Sequence, residues 1–226
     1  MDGRHHPNPR QRGVSLLFAL LALAALSLAT LALVRSVDTG GLVLGNIGFK
    51  QDATAAGDQA TRQAVAWLKA NITSLQNDAA TNGYYASTKE LNVDKTITRV
   101  DATGQQFPAD RTRKLIDWDN DSRCDYASAG TFASCALKTV SVDDINGNKT
   151  RYVIFRLCAS SGDANDDLNN SCSKPLSGGG GSSNKGSISY GRQPIAGGSS
   201  PYYRVVVRVL GARNTASFTE SIVSFQ

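Results

Sequence analysis

Histidine is missing from all but the first few residues. The two in the chain, His5 and His6, precede Gly13. Nothing from Val14 onward can therefore build a Ser-His-Asp triad, a Cys-His pair or a histidine-ligated metal centre. Charge is missing from Val14 to Val34, 21 consecutive positions. No Cys-x-x-Cys pair occurs, so a four-thiolate zinc site lacks its usual spacing. The glycine run at 177–187, SGGGGSSNKGS, lacks the Gly-Lys-Ser/Thr ending of a phosphate cradle and reads as a flexible surface loop. Basic blocks are scarce, and Arg111-Thr112-Arg113-Lys114 reads as a solvated face. Residues 1–13 hold Arg4, Arg10, Arg12 and Asp2. Removing them leaves 21 bases against 18 acids, a net charge of +3, which is a weak basis for nucleic-acid binding. Carboxylate-only catalysis needs two facing acids, whereas the acids here fall in Asn/Asp/Gly clusters typical of turns. The expectation is a protein that is not an enzyme.

What is present is a long apolar run behind a short basic segment. At about 1.5 Å per residue, 21 helical residues cross ~30 Å of hydrocarbon. The basic side is expected to stay in the cytoplasm and the remaining residues to lie beyond the membrane. The junction between the two decides what the run is. An ordinary export signal has an apolar core of about 7–15 residues and a small-x-small cleavage site; this run is longer and ends at Arg35 with no Ala-x-Ala. A plain signal anchor fits the length. A third form fits the junction as well. Arg12-Gly13-Val14-Ser15-Leu16-Leu17 resembles a type IV prepilin, in which a basic leader is cut off after a glycine and the helix stays on the mature chain as an assembly stem.

The resemblance extends through Leu33-Val34-Arg35-Ser36, Gly45-Asn46, Phe49-Lys50-Gln51 and Ala55-Ala56. Together these look like the start of PilX-type minor pilins and cover roughly the first 70 residues. The closing segment from Tyr202-Tyr203-Arg204-Val205 to Phe225 is similar to that family's last strands. The resemblance implies cleavage between Gly13 and Val14 by a prepilin peptidase, and N-methylation of Val14. It implies single-pass residence in the inner membrane with a periplasmic head, then transfer to the pilus on the cell surface. It also implies association with other minor pilins and the major pilin, and contact with a PilY-type tip adhesin. Major pilins carry a glutamate at the fifth mature position, where this chain has Phe18. A carboxylate in lipid needs a partner and a phenylalanine needs none. The loss fits a subunit that starts a filament rather than one that repeats along it. A type II secretion pseudopilin has the same helix logic. A single-pass periplasmic binding or sensor domain that never assembles is the alternative from another class.

The expected architecture is α+β: a leader (1–13), an N-terminal helix (14–76) whose residues 14–34 form the membrane segment, and a β-rich head (77–226) with an antiparallel sheet. Beyond Val34, Ala53, Ala56, Ala60, Ala64, Trp67 and Leu68 recur at helical spacing between polar residues. Small residues on that stripe let a helix lie close against a partner, so the stripe is expected to set the register between assembling stems. Gly40, Gly41, Gly45 and Gly48 separate the two halves, and each interior glycine costs about 1 kcal/mol relative to alanine. A kink, a short melt or a mobile joint is expected there. From about Asn77, Asn82-Gly83, Thr103-Gly104 and Phe107-Pro108 signal turns. Segments 138–143 and 150–157 read as strands joined at Asn146-Gly147, a hairpin. Residues 202–210 alternate, with Tyr203, Val205, Val207 and Val209 on one face and Arg204, Val206 and Arg208 on the other. They form a second hairpin with 216–225.

Cys124, Cys135, Cys158 and Cys172 all follow the apolar run. An even count in an exported domain favours disulfides. Of three pairings, nearest neighbours (Cys124–Cys135 and Cys158–Cys172) close loops worth ~3 kcal/mol each in the chain-entropy model. Asp117, Asp119 and Asp121 alternate as in the front of a calcium loop, and Asp163, Asn165, Asp167 and Asn169 do the same. The EF-hand glycine and glutamate are replaced by Ser122 and Ser128 in the first cluster, and by Leu168 and Lys174 in the second. Turn capping explains both clusters as well. No cofactor is expected, with Asp117, Asp119 and Asp121 as a weak calcium candidate.

Overall fold

A computed structural model describes residues 14–105, 113–127, 132–166, 168–175, 200–211 and 214–225. Among them the elements run from one long helix into a β-rich region, the α+β arrangement expected. Helix α1 spans Val14–Ala70, 57 residues without interruption. The expected melt is absent, since residues 38–48 are helical. Opening a helix in its middle requires a second nucleus, with a penalty of about 10⁻³ in the nucleation constant. That is comparable with the summed glycine penalties, and Thr39 Oγ1 also caps the Arg35 carbonyl at 2.7 Å just before the glycine pair. The helix stops earlier than residue 76. Asn71 Nδ2 donates back to the Trp67 carbonyl at 2.8 Å, and a 3₁₀ turn, Ile72–Ser74, leads to the buried Leu75.

The chain divides into two units, one ending at Gly48 and one beginning at Phe49. In the first, every described side chain is exposed. The second is layered. Strands β1 (Tyr84–Tyr85), β5 (Val140–Ile145), β6 (Asn148–Arg156), β7 (Tyr203–Leu210) and β8 (Ala216–Val223) form one sheet, with β1 and β5 both paired to β6. All its pairs are antiparallel except β1 with β6. Both expected hairpins are here. Asn146 and Gly147 sit at φ 53° and 78°, the two left-handed positions that a two-residue turn with right-handed strand twist requires. A second sheet, β2 (Val100–Asp101), β3 (Lys114–Asp117) and β4 (Ser134–Lys138), is wholly parallel.

Residues 53–68 of α1 cover one face of the main sheet. Ala53, Ala56, Ala60, Ala64 and Leu68 share a core with Tyr152, Ile154, Tyr203, Val205, Val207 and Val209. The contact is close because the residues are small: a Cβ on Gly57 would sit 3.1 Å from Thr219 Oγ1 and 3.8 Å from Val209 Cγ2. The opposite face of the sheet is covered as well. Val153, Phe155 and Val206 pack with Val100, Ile116, Trp118 and Leu137 around the second sheet. The alternation in β7 therefore separates two buried cores.

Candidate functional site

The N-terminal part of α1 offers mostly hydrocarbon to its surroundings. Leu16, Leu17, Phe18, Leu20, Leu21, Leu23 and Leu26 are each more than half exposed. An 18-residue window reaches a mean hydropathy of 2.6 with none of it buried. The segment is long and apolar enough to cross a membrane. Two of its hydroxyls are satisfied within the helix, as an apolar solvent demands: Ser27 Oγ donates to the Ala24 carbonyl at 2.8 Å and Thr30 Oγ1 to that of Ser27 at 2.9 Å. Val14 opens the described helix, and Phe18 lies one turn on, 64% exposed. Gly13 and the leader lie outside the described residues, as do the glycine run at 177–187, Phe107-Pro108, Arg111, Thr112, Ser128 and Asp167.

The small-residue stripe is corrected. It does not face outward for another stem. It is filled by the chain's own sheet, and the exposed side of the same turns carries Thr54, Asp58, Gln59, Arg62 and Gln63. The seam is tied at its start by Asp52, whose carboxylate accepts from Asn146 Nδ2 at 3.1 Å and from Asn148 Nδ2 in the β5–β6 turn. These bonds hold the Asp52 carboxyl below the usual carboxylate range.

The cysteines pair as nearest neighbours, Cys124–Cys135 and Cys158–Cys172. The aspartates of the calcium candidate diverge. Asp117 is fully buried and accepts from the Asp121 and Ser122 backbone N–H groups, each at 3.0 Å, and from Lys138 Nζ. Asp119 accepts from Arg208 Nη1 at 3.1 Å, and Asp121 caps the Arg123 N–H at 3.0 Å. Each carboxylate serves a different partner, so the structure brings no oxygen cage together from them. Among the described residues no group of three or more acids, cysteines or histidines is placed to hold a metal. In the second cluster Asp163 caps the Asn165 N–H at 2.9 Å and Asp166 caps that of Asn169 at 3.3 Å, which is turn chemistry.

Two arginines matter more than the pattern suggested. Arg156 is 2% exposed and bonds only carbonyls: Ala86 through Nε at 2.9 Å, Leu75 through Nη1 at 3.1 Å, and Gly162 through Nη2 at 2.7 Å. Tyr84 Oη donates to the same Leu75 carbonyl at 2.7 Å. Arg113 and Asp101 form a buried pair at 2.9 Å. The solvated face expected at Arg113 is corrected by the second buried layer, whereas Arg156 lies on the α1 side of the main sheet, opposite the buried Tyr203. Burial pushes Tyr84 and Tyr126 upward and Tyr85 up to about 12, the behaviour of phenols held in a core. Comparison with protein-family models, with curated proteins and with solved structures finds no match.

Proposed function

We propose that this chain is a PilX-type minor pilin, a non-enzymatic subunit that enters the inner membrane by α1, helps start a type IV pilus and sits near its tip. The observation that carries the reading is the uncharged, fully exposed helical segment directly behind Gly13, which continues as helix to Ala70. A cleaved export signal has no reason to continue as the first element of the folded domain. In this reading prepilin peptidase cuts after Gly13 and leaves Val14 as a methylated N-terminus. The stem then exchanges lipid for the stems of other minor pilins and the major pilin, with dispersion contacts between apolar side chains as the driving term. Because the alanine stripe is occupied within the chain, register between subunits falls to residues 14–48. Phe18 removes the charge pairing of a repeating subunit and suits a chain that needs a partner on one side only, with the head turned toward a PilY-type adhesin.

Mass spectrometry of the mature N-terminus tests the reading. N-methylated Val14 is expected in a strain with active prepilin peptidase, and Gly13→Leu is expected to retain the leader and abolish surface fibres. An intact Met1 in that strain, or normal fibres from the variant, overturns it.

A further inference from the structure

The face of the main sheet turned away from α1 holds a cleft of about 140 Å³ whose lining includes Asp119, Asp144, Lys149, Arg151 and Arg208. Arg151 and Arg208 stand directly opposite each other in the β6–β7 register. Like charges facing across a strand pair repel, and here one carboxylate answers two guanidinium groups. Arg208 is 8% exposed; it gives Nη1 to Asp119, while its buried Nε reaches no acceptor. Arg151 gives Nε to a neutral oxygen, Thr139 Oγ1, at 2.9 Å, and its Nη atoms have no partner among the described residues. The Lys149 ammonium is exposed at the same cleft and has no hydrogen-bond or ion-pair partner among those residues.

A buried guanidinium N–H without an acceptor is a penalised state, relieved when an oxygen anion arrives. The cleft carries three cations and two acids, one net positive charge. That suits a monoanion, and Asp119 and Asp144 oppose a doubly charged one. A planar guanidinium also matches a carboxylate through two parallel hydrogen bonds. We infer that this cleft binds a carboxylate between Arg151 and Arg208, with Lys149 at its mouth. The inference is independent of the proposed pilus role.

A carboxylate arrives either on a small acid or on an acidic side chain of another protein, so the probes are the monoanion butyrate and a blocked peptide, acetyl-Gly-Glu-Gly-amide. Each is titrated at fixed ionic strength into the full chain, in an uncharged detergent, with the arginine Nε–H signals followed by NMR. Saturable shifts of Arg151 and Arg208 are expected. Arg151→Gln is expected to weaken binding ~10-fold or more, the loss of a charge-assisted bond. Lys149→Gln, at an exposed position with no structural partner, is expected to weaken it about threefold and provides the test if the arginine variant does not fold. Peptide binding at least as tight as that of butyrate identifies a protein partner; butyrate alone identifies a small acid. No saturable shift, unchanged affinity in the variants, or tighter binding of inorganic phosphate overturns the inference.

Discussion

Leucine and alanine divide α1 between them. From Val14 to Val34 the large side chains are leucines, valine and phenylalanine, on all sides of the helix, and all are exposed. From Ala53 to Ala64 the inward positions are alanine and glycine, on one side only, and all are buried. An apolar surface all round calls for an apolar solvent; a narrow stripe of small residues calls for a flat surface brought close. The same secondary structure thus serves two environments, and the size of the side chain assigns which. The first half depends on what surrounds the molecule, whereas the second, packed on the main sheet, depends on the molecule itself.

Substitutions that unsettle one half and spare the other break or sharpen this contrast. Asp101→Ala strips the carboxylate from the buried Arg113 and is expected to lower stability of the β-rich region by about 3–5 kcal/mol, seen as a drop in the denaturant midpoint with membrane partition unchanged. Leu23→Arg works the other way: it is expected to oppose insertion by ~3 kcal/mol and shift the chain out of the membrane fraction, while the melting of the head stays put. Replacing Cys158 and Cys172 together with alanine opens a loop of 14 residues' separation and is expected to remove about 3 kcal/mol, again from the head alone. Ala60→Leu forces a side chain into the seam against the sheet and is expected to remove about 1–3 kcal/mol. If Ala60→Leu left the head intact and abolished only assembly, the stripe would belong to a partner after all.

The smallest effect concerns pH. Asp52 has a lowered pKa in the folded chain, so its contribution is present above the ordinary carboxylate value and is lost as pH falls below it. The denaturant midpoint of the natural chain is therefore expected to fall slightly more than that of Asp52→Asn between about pH 6 and about pH 3.

Much of this was readable from side-chain period alone. The alanine stripe and the two hairpins follow from spacings of four and two residues, both local, whereas the cysteine count pointed to disulfides and left three pairings open until the structure joined nearest neighbours. The parallel sheet of β2, β3 and β4 was not readable. Its strands are two, four and five residues long, and its pairing partners are distant in the chain, so no periodicity accumulates. Missing that layer also hid why Val206 and Phe155 need company on their second face. The glycines of residues 40–48 overstated one outcome, a melt, because propensity counts each residue singly while a helix is cooperative. For the stem, the run of uncharged residues was legible and its junction at Gly13 was read by resemblance. For the cleft, Arg151 and Arg208 are 57 positions apart in the chain, and only the strand register makes them neighbours.

Arg156 ends as a knot tied entirely in main chain. The residues it fastens, at 75, 86, 160 and 162, lend it only their carbonyls, so the knot depends on the course of the backbone and not on what those residues' side chains offer the arginine. Related chains are therefore expected to keep this arginine wherever these stretches of backbone keep their course. Lysine, with a single nitrogen, is a poor substitute for a group that must reach three separate stretches of backbone at once.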